Sequence, residues 1–311
     1  MERIALVTGA DANYYPLVRE WIHSVRRFEE SKSCDICVID AGLNDAQRAE
    51  LKALGAKAVN PDWPADLPES RTKGKEFLKA CVCRPSIPSI FPGYDIYMWM
   101  DADTWVQSWS GVEMFLRAAR EKPDRLAVTA QTDRAYERAT RVKWLWRWPW
   151  KSNTFYFSNA RQPFGFKTAK ALHPFHTLNA GCFALSAKAP HWKRWPEIAR
   201  AAMTKGSMFT AEQLSMGILV HLEGYKAELL PVYTHWMCST APAYDEEKKL
   251  FVEPYLPHEP LGVMHLSGVD AMRADRSVTT PYATLTGKTV QLNLRYPYFD
   301  GGAVGNGAPA R

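Results

Sequence analysis

Asp101 and Asp103 stand one residue apart at the end of a short apolar run, Tyr94-Asp95-Ile96-Tyr97-Met98-Trp99-Met100. On an extended chain, residues i and i+2 point the same way. The two carboxylates can therefore converge at the carboxyl end of a strand, where open α/β sheets bind ligands. Unpaired, they would repel each other. A divalent metal removes that conflict, and metal held by carboxylates commonly carries substrate phosphates. The alternative is a turn in which each Asp bonds its own backbone. A three-residue pattern alone does not separate the two.

Other residues carry chemistry with the same ambiguity. In Thr177-Leu178-Asn179-Ala180-Gly181, Asn179 either presents its amide to a ligand or opens a strand with a bulge at Gly181. Thr210-Ala211-Glu212-Gln213 reads as a helix start, with Thr210 as N-cap, Gln213 in the capping-box position and Glu212 in the first turn. His265 falls in a strand from Leu261 to Leu266, where a single His is more often a core residue than a ligand. The basic segment Lys73 to Arg84 reads as a helix that either approaches phosphates or forms a solvated face. Arg141-Val142-Lys143-Trp144-Leu145-Trp146-Arg147-Trp148-Pro149-Trp150-Lys151 interleaves tryptophans with bases. It suits a peripheral membrane contact, an aromatic platform for an acceptor sugar, or a loop packed on the domain.

The elements that must position these residues follow from periodicity. Ile4 to Val7 is a strand. Tyr14, Leu17, Val18, Trp21, Ile22, Val25 and Phe28 recur at helical spacing after it. Cys34 to Ile39 is a second strand, Asn44 to Gln47 a capping box opening a helix, and Ala56 to Val59 a third strand. This alternation implies parallel βαβ units. Further helices are expected over Gly111–Arg120, Pro190–Met203 and Thr210–Leu222, and a strand over Arg125–Thr129. No Gly-x-Gly-x-x-Gly or phosphate-loop pattern is present, which argues against dinucleotide and ATPase chemistry.

The 311 residues, 46% hydrophobic and 23% charged, suit an ordinary globular fold. The net charge of +6 suits an anionic substrate or surface. The six cysteines read as reduced thiols, and Cys34 and Cys37 face opposite sides of one strand, so no metal or redox pair is expected of them. No signal-peptide pattern and no apolar run of the roughly 20 residues that span a bilayer is present. The expectation is a cytoplasmic protein with no nucleic-acid partner, a contact of Trp144–Trp150 with the cytoplasmic face of a membrane being one of the three readings open for that segment.

The order of the pieces resembles a known family. A βα turn, Asp101-Ala102-Asp103, Asn179-Ala180-Gly181, Glu212-Gln213 and His265-x-x-Gly268 follow one another as in the GT-A glycosyltransferases of family 8, the glycogenin and bacterial galactosyltransferase-like enzymes. Arg84-Pro85-Ser86-Ile87-Pro88 and the following Tyr94-Asp95 also resemble the segment before that family's acidic motif. The similarity runs over roughly residues 3–270. It implies an α/β fold: a single GT-A domain whose Rossmann-like, mostly parallel central sheet is flanked by helices. Residues 1–270 would form that domain, with a donor-binding half over about 1–130 and an acceptor-side half over about 131–270. Residues 271–311 would be an extension, with 301–311 a Gly/Ala-rich disordered tail.

The resemblance also implies roles. Asp101, Asp103 and His265 would hold manganese or magnesium. Tyr14 would stack on uracil, with Thr8 and Asp11 at the base edge. Arg84, Asn179, Gly181, Ala102 and Gly268 would line the donor, and Glu212 and Gln213 would act at the sugar. The reaction would move a hexose from a UDP-sugar to a glycan, glycolipid or protein acceptor with retention. The family usually has Asp where Glu212 stands, and a lysine where Ala271 stands. Arg273 or Lys288 are the candidates to replace that lysine. The rival expectation is a non-catalytic protein that binds nucleotide or glycan, or docks at membranes, on the same scaffold. A sugar nucleotidyltransferase is disfavoured because the first turn lacks a glycine- and base-rich triphosphate loop.

Overall fold

The structure is a computed structural model, and it describes residues 2–132, 134–136 and 141–296. The expected disordered tail, 301–311, lies outside the described residues. Sixteen strands are described: β1 Ile4–Ala10, β2 Cys34–Asp40, β3 Ala56–Val59, β4 Ile96–Met100, β5 Thr104–Val106, β6 Leu126–Ala130, β7 Arg141–Leu145, β8 Trp148–Asn153, β9 Leu178–Ser186, β10 Ala227–Leu230, β11 His235–Met237, β12 Ala243–Asp245, β13 Leu250–Val252, β14 Val263–His265, β15 Thr280–Ala283 and β16 Thr289–Leu292. Seven form the central sheet in the order β10-β6-β9-β4-β1-β2-β3. Its pairs are parallel except where β9 meets β4 and β6.

The inner strands are apolar on both faces, as strands covered by helices on both sides must be. Ala5, Val7, Tyr97 and Trp99 join one core, while Ile4, Leu6, Ile96 and Met98 join the other. Cys37 and Cys34 divide between the same two cores, and all six cysteines are buried free thiols. β2 and β3 lie on one side of β1 and β4 on the other. That reversal makes a topological switch point at the carboxyl ends of β1 and β4, where such sheets leave a ligand crevice.

The helices mostly follow the periodicity. Tyr15–Arg26 opens with Pro16, whose fixed φ suits a first helical turn. Asp45–Ala53 carries the reciprocal Asn44–Gln47 capping box. Two expectations fail. Lys73 to Arg84 is not one helix but a chain of short turns, Glu76–Leu78, Lys79–Val82 and Arg84–Ser86. Gly74, at φ +68, interrupts the segment near its start. The second failure is the Thr210 cap of the Ala211–His221 helix. Thr210 caps nothing with its side chain; its hydroxyl donates to Asn159 Oδ1 at 2.8 Å.

A smaller sheet, β11-β14-β5, stands beside the first. Residues 271–296 close over it. Trp105 Nε1 donates to the Leu294 carbonyl at 2.8 Å, and Trp105, Met264, Leu294 and Tyr296 share a third core. Arg295 and Arg276 both reach the buried Glu20 carboxylate on the first helix.

Candidate metal centre

β4 ends at Met100 and β5 begins at Thr104, so Asp101-Ala102-Asp103 is the connection between two sheets. It closes as a tight turn, with the Thr104 backbone N–H donating to the Asp101 carbonyl at 3.0 Å. The carboxylates converge because the chain turns, not because it stays extended. Neither carboxylate bonds its own backbone among the described hydrogen bonds; both point at other elements. β14 runs antiparallel to β5 with His265 opposite Thr104. That register brings the imidazole to the turn. One ligand atom each from Asp101, Asp103 and His265 lies within 4.8 Å of the others.

The donor set fits a divalent ion. His265 Nε2 lies 3.4 Å from Asp103 Oδ1 and 3.7 Å from Asp101 Oδ2. Ligands bonded to one ion at about 2.1 Å stand about 3–4 Å apart. The remaining oxygens are held elsewhere. Asp101 Oδ1 accepts from Arg84 Nη2 at 2.7 Å and Trp99 Nε1 at 2.8 Å. Asp103 Oδ2 accepts from Arg273 Nη1 at 2.6 Å. Each carboxylate is thus pinned by one oxygen and offers the other to the common point. Two carboxylates beside an imidazole suit a divalent cation.

The local electrostatics follow from burial and these partners. Burial raises the Asp101 carboxyl above its usual range despite Arg84 and His265. Burial acts on Asp103 too, but His265 and Arg273 outweigh it and hold that carboxyl well below its usual range. Burial would lower the His265 imidazole, yet Asp103 and then Asp101 hold it above its ordinary value. His265 Nδ1 meets His235 Nε2 at 3.0 Å, with the two rings stacked, and His235 Nδ1 faces Thr129 Oγ1 at 3.4 Å. Burial, then His265, keeps His235 neutral. A partner on the far nitrogen of a ligating His fixes its tautomer and ring orientation.

β9 passes directly behind the cluster. Its register on β6 slips between Val128, opposite Phe183, and Ala130, opposite Leu178. The slip takes in Asn179-Ala180-Gly181, and the Gly181 carbonyl accepts from the Asp101 backbone N–H at 2.9 Å. A Cβ on Gly181 would fall 2.5 Å from His265 Cε1 and 2.9 Å from Asp101 Oδ2. Asn179 is buried and its Nδ2 has no partner, nor has Glu212 Oε2 or Thr8 Oγ1. Leaving such groups unpaired is costly, which is what a site awaiting a polar ligand looks like. Glu212 Oε1 meets Arg84 Nη1 at 3.3 Å, and burial pushes its carboxyl up to about 7 against that attraction.

The positions expected from sequence therefore divide. Asp101, Asp103, His265, Arg84, Gly181 and Glu212 lie together. The N–H groups of Arg84 go to Asp101, Glu212, the Ala80 and Ala180 carbonyls and Cys81 Sγ. Its donors thus tie Asp101 and Glu212 to the backbone of their neighbours. Gln213 Nε2 is fixed on the Leu178 carbonyl at 2.8 Å. Asp11 shapes its own turn, accepting from the Asn13 and Tyr14 backbones at 3.1 and 3.0 Å. Tyr14 is 40% exposed, with the Arg273 guanidinium 5.8 Å from its ring. Gly268, at φ +80, lies where a Cβ would meet Ser239 at 2.8 Å, and Ala102 is buried. Lys288 stands in the β15–β16 turn beside Thr284. Sequence reasoning missed Trp99 and His235; a second His in an apolar stretch, Thr234-His235-Trp236, was the available signal.

No protein-family model matches the chain, and no curated protein does. Solved structures are similar to it. A bifunctional glycosyltransferase, WbbM, in its apo form superposes with a TM-score of 0.56 at 15% identity, over 86% of this chain and 46% of that one. The galactosyltransferase LgtC, in complex with donor and acceptor sugar analogues, gives a TM-score of 0.50 at 17% identity, over 85% of this chain and 87% of that one. At these identities the likeness is one of fold. This chain has the mixed α/β GT-A architecture, a central sheet flanked by helices, with an Asp/Asp/His cluster suited to a divalent ion at the carboxyl end of the sheet.

Proposed function

We propose that the protein is a metal-dependent glycosyltransferase, moving a hexose from a UDP-sugar to a glycan, glycolipid or protein acceptor. The observation that carries this is the cluster itself: two carboxylates and an imidazole converge, each carboxylate pinned by an arginine on its outer oxygen. A manganese or magnesium ion held by Asp101, Asp103 and His265 would supply charge neutralisation at the leaving nucleoside diphosphate. The chain supplies the rest. Arg84 and Trp99 orient Asp101, and His235 orients His265. Arg273 stands between Asp103 and the Tyr14 ring, which makes it the better candidate than Lys288 for the lysine missing at Ala271. In that place it would meet the diphosphate while Tyr14 stacks on the base.

Asn179 and Glu212 bring unspent buried polar atoms for the hydroxyls of the sugar. Glu212 and Gln213 are the candidates to stabilise positive charge developing at the anomeric carbon. With its carboxyl near 7, Glu212 is available as a donor as well as an acceptor at neutral pH. Retention of configuration follows from the family 8 resemblance. The test is turnover: a panel of UDP-hexoses is incubated with manganese, and products are read by anomeric NMR. Release of an α-configured sugar or an α-linked product supports the proposal. A β-configured product removes the retaining mechanism. Nucleotide binding without turnover of any donor favours the non-catalytic reading.

A further inference from the structure

None of the described side chains at the site comes from the tryptophan-rich segment, whose backbone has a defined form. β7 and β8 pair antiparallel as a hairpin and join no other strand among those described. An isolated two-stranded hairpin is marginally stable in water. The turn between the strands is Trp146-Arg147, and both residues are exposed. Trp146 is 94% exposed at φ +57, a backbone region that bulky residues rarely enter. The side chains of Trp144, Trp148 and Trp150 lie outside the described residues. The sequence from Arg141 to Lys151 holds four tryptophans, four bases and no acid. Tryptophan prefers the headgroup depth of a bilayer, and bases near the surface are drawn to anionic lipid.

The place of the hairpin matters as much as its composition. It is inserted between β6 and the Phe155–Leu172 helix. β6 leaves the sheet at the edge that carries the cluster, where the Gln131 backbone N–H donates to the Thr177 carbonyl just before Asn179. We propose that the β7–β8 hairpin docks the protein on an anionic lipid surface, with the Trp146-Arg147 turn at headgroup depth. Docked through an insertion at that edge, the chain would meet an acceptor displayed on the lipid surface. This last consequence rests on the transferase reading; the docking does not.

The experiment is vesicle sedimentation of the full chain, with phosphatidylcholine alone and with phosphatidylcholine carrying about one-third phosphatidylglycerol. The wild type is expected to sediment with the anionic vesicles, less so when salt rises from about 0.1 to about 0.5 M. W146S/R147S is expected to lower the partition coefficient about tenfold or more. Thermal melting and manganese-dependent UDP binding of the variant are expected to match the wild type. Equal sedimentation of variant and wild type, or none by either, overturns the proposal. Binding to neutral and anionic vesicles alike overturns the charge argument. A hairpin that grips a soluble glycan instead would show as glycan binding lost in W146S without any lipid partition, which also overturns it. Absence of manganese-dependent UDP binding by the wild type, with its docking on anionic vesicles intact, would count against the transferase reading and leave the docking standing.

Discussion

Burial drives the Glu212 carboxyl from 4.5 to about 7, and Arg84 offsets it only in part. The folded state therefore holds a proton that the unfolded chain releases earlier. Stability from this group is present below about pH 4.5 and is lost as pH rises through about 7, at most about 1.4 kcal/mol per pH unit. Urea unfolding in EDTA between about pH 5 and about pH 8 should show the wild type weakening relative to Glu212→Gln across that window. Parallel pH profiles would contradict the buried, proton-holding environment. At this scale the sequence was partly legible. Asp101 and Asp103 could be read because spacing and residue type carry the chemistry. Glu212 could not be separated from an ordinary first-turn acid, because only tertiary packing decides that Thr210 turns to Asn159 and Glu212 turns inward.

Elements carry the precision of the site. β9 slips its register where it passes the cluster, and Gly181 is the point of closest approach. Gly181→Ala would force a Cβ against His265 and Asp101, with little room to move in a packed interior. Manganese-dependent UDP binding should fall at least about tenfold, a change of about 1.4 kcal/mol, while the fold persists. Unchanged binding would mean that Gly181 does not set the spacing of His265 and Asp101. The strand itself was legible from its apolar run, and a bulge near Gly181 was one of two readings of the sequence. Leu261 to Leu266 was legible as a strand as well, but nothing in it says that it will lie opposite Thr104 and carry His265 to the turn. Register between strands distant in sequence is set by packing that no local pattern encodes.

The molecule as a whole is closed by its last described segment. Glu20 is buried on the first helix and takes both Arg276 and Arg295. Removing one partner of a buried ionic cluster strands the others, at a cost of about 3–5 kcal/mol. Glu20→Ala should unfold that much more easily in urea, and proteolysis should then cut first between residues 271 and 296. A change below about 1 kcal/mol would mean the cluster is worth no more than a surface pair. The α/β alternation of the first 60 residues made the parallel half of the sheet readable. The β11-β14-β5 sheet was not readable, because its strands are short and come from three distant parts of the chain.

On the proposed function, Asp101, Asp103 and His265 hold a divalent ion that a nucleoside diphosphate requires. Calorimetric titration of UDP tests it most directly, with manganese and then with EDTA, on the wild type and on Asp103→Ala. Saturable binding by the wild type with manganese is expected, with binding lost in EDTA and none by the variant in either condition. Binding that is indifferent to manganese, or that survives intact in Asp103→Ala, would contradict it.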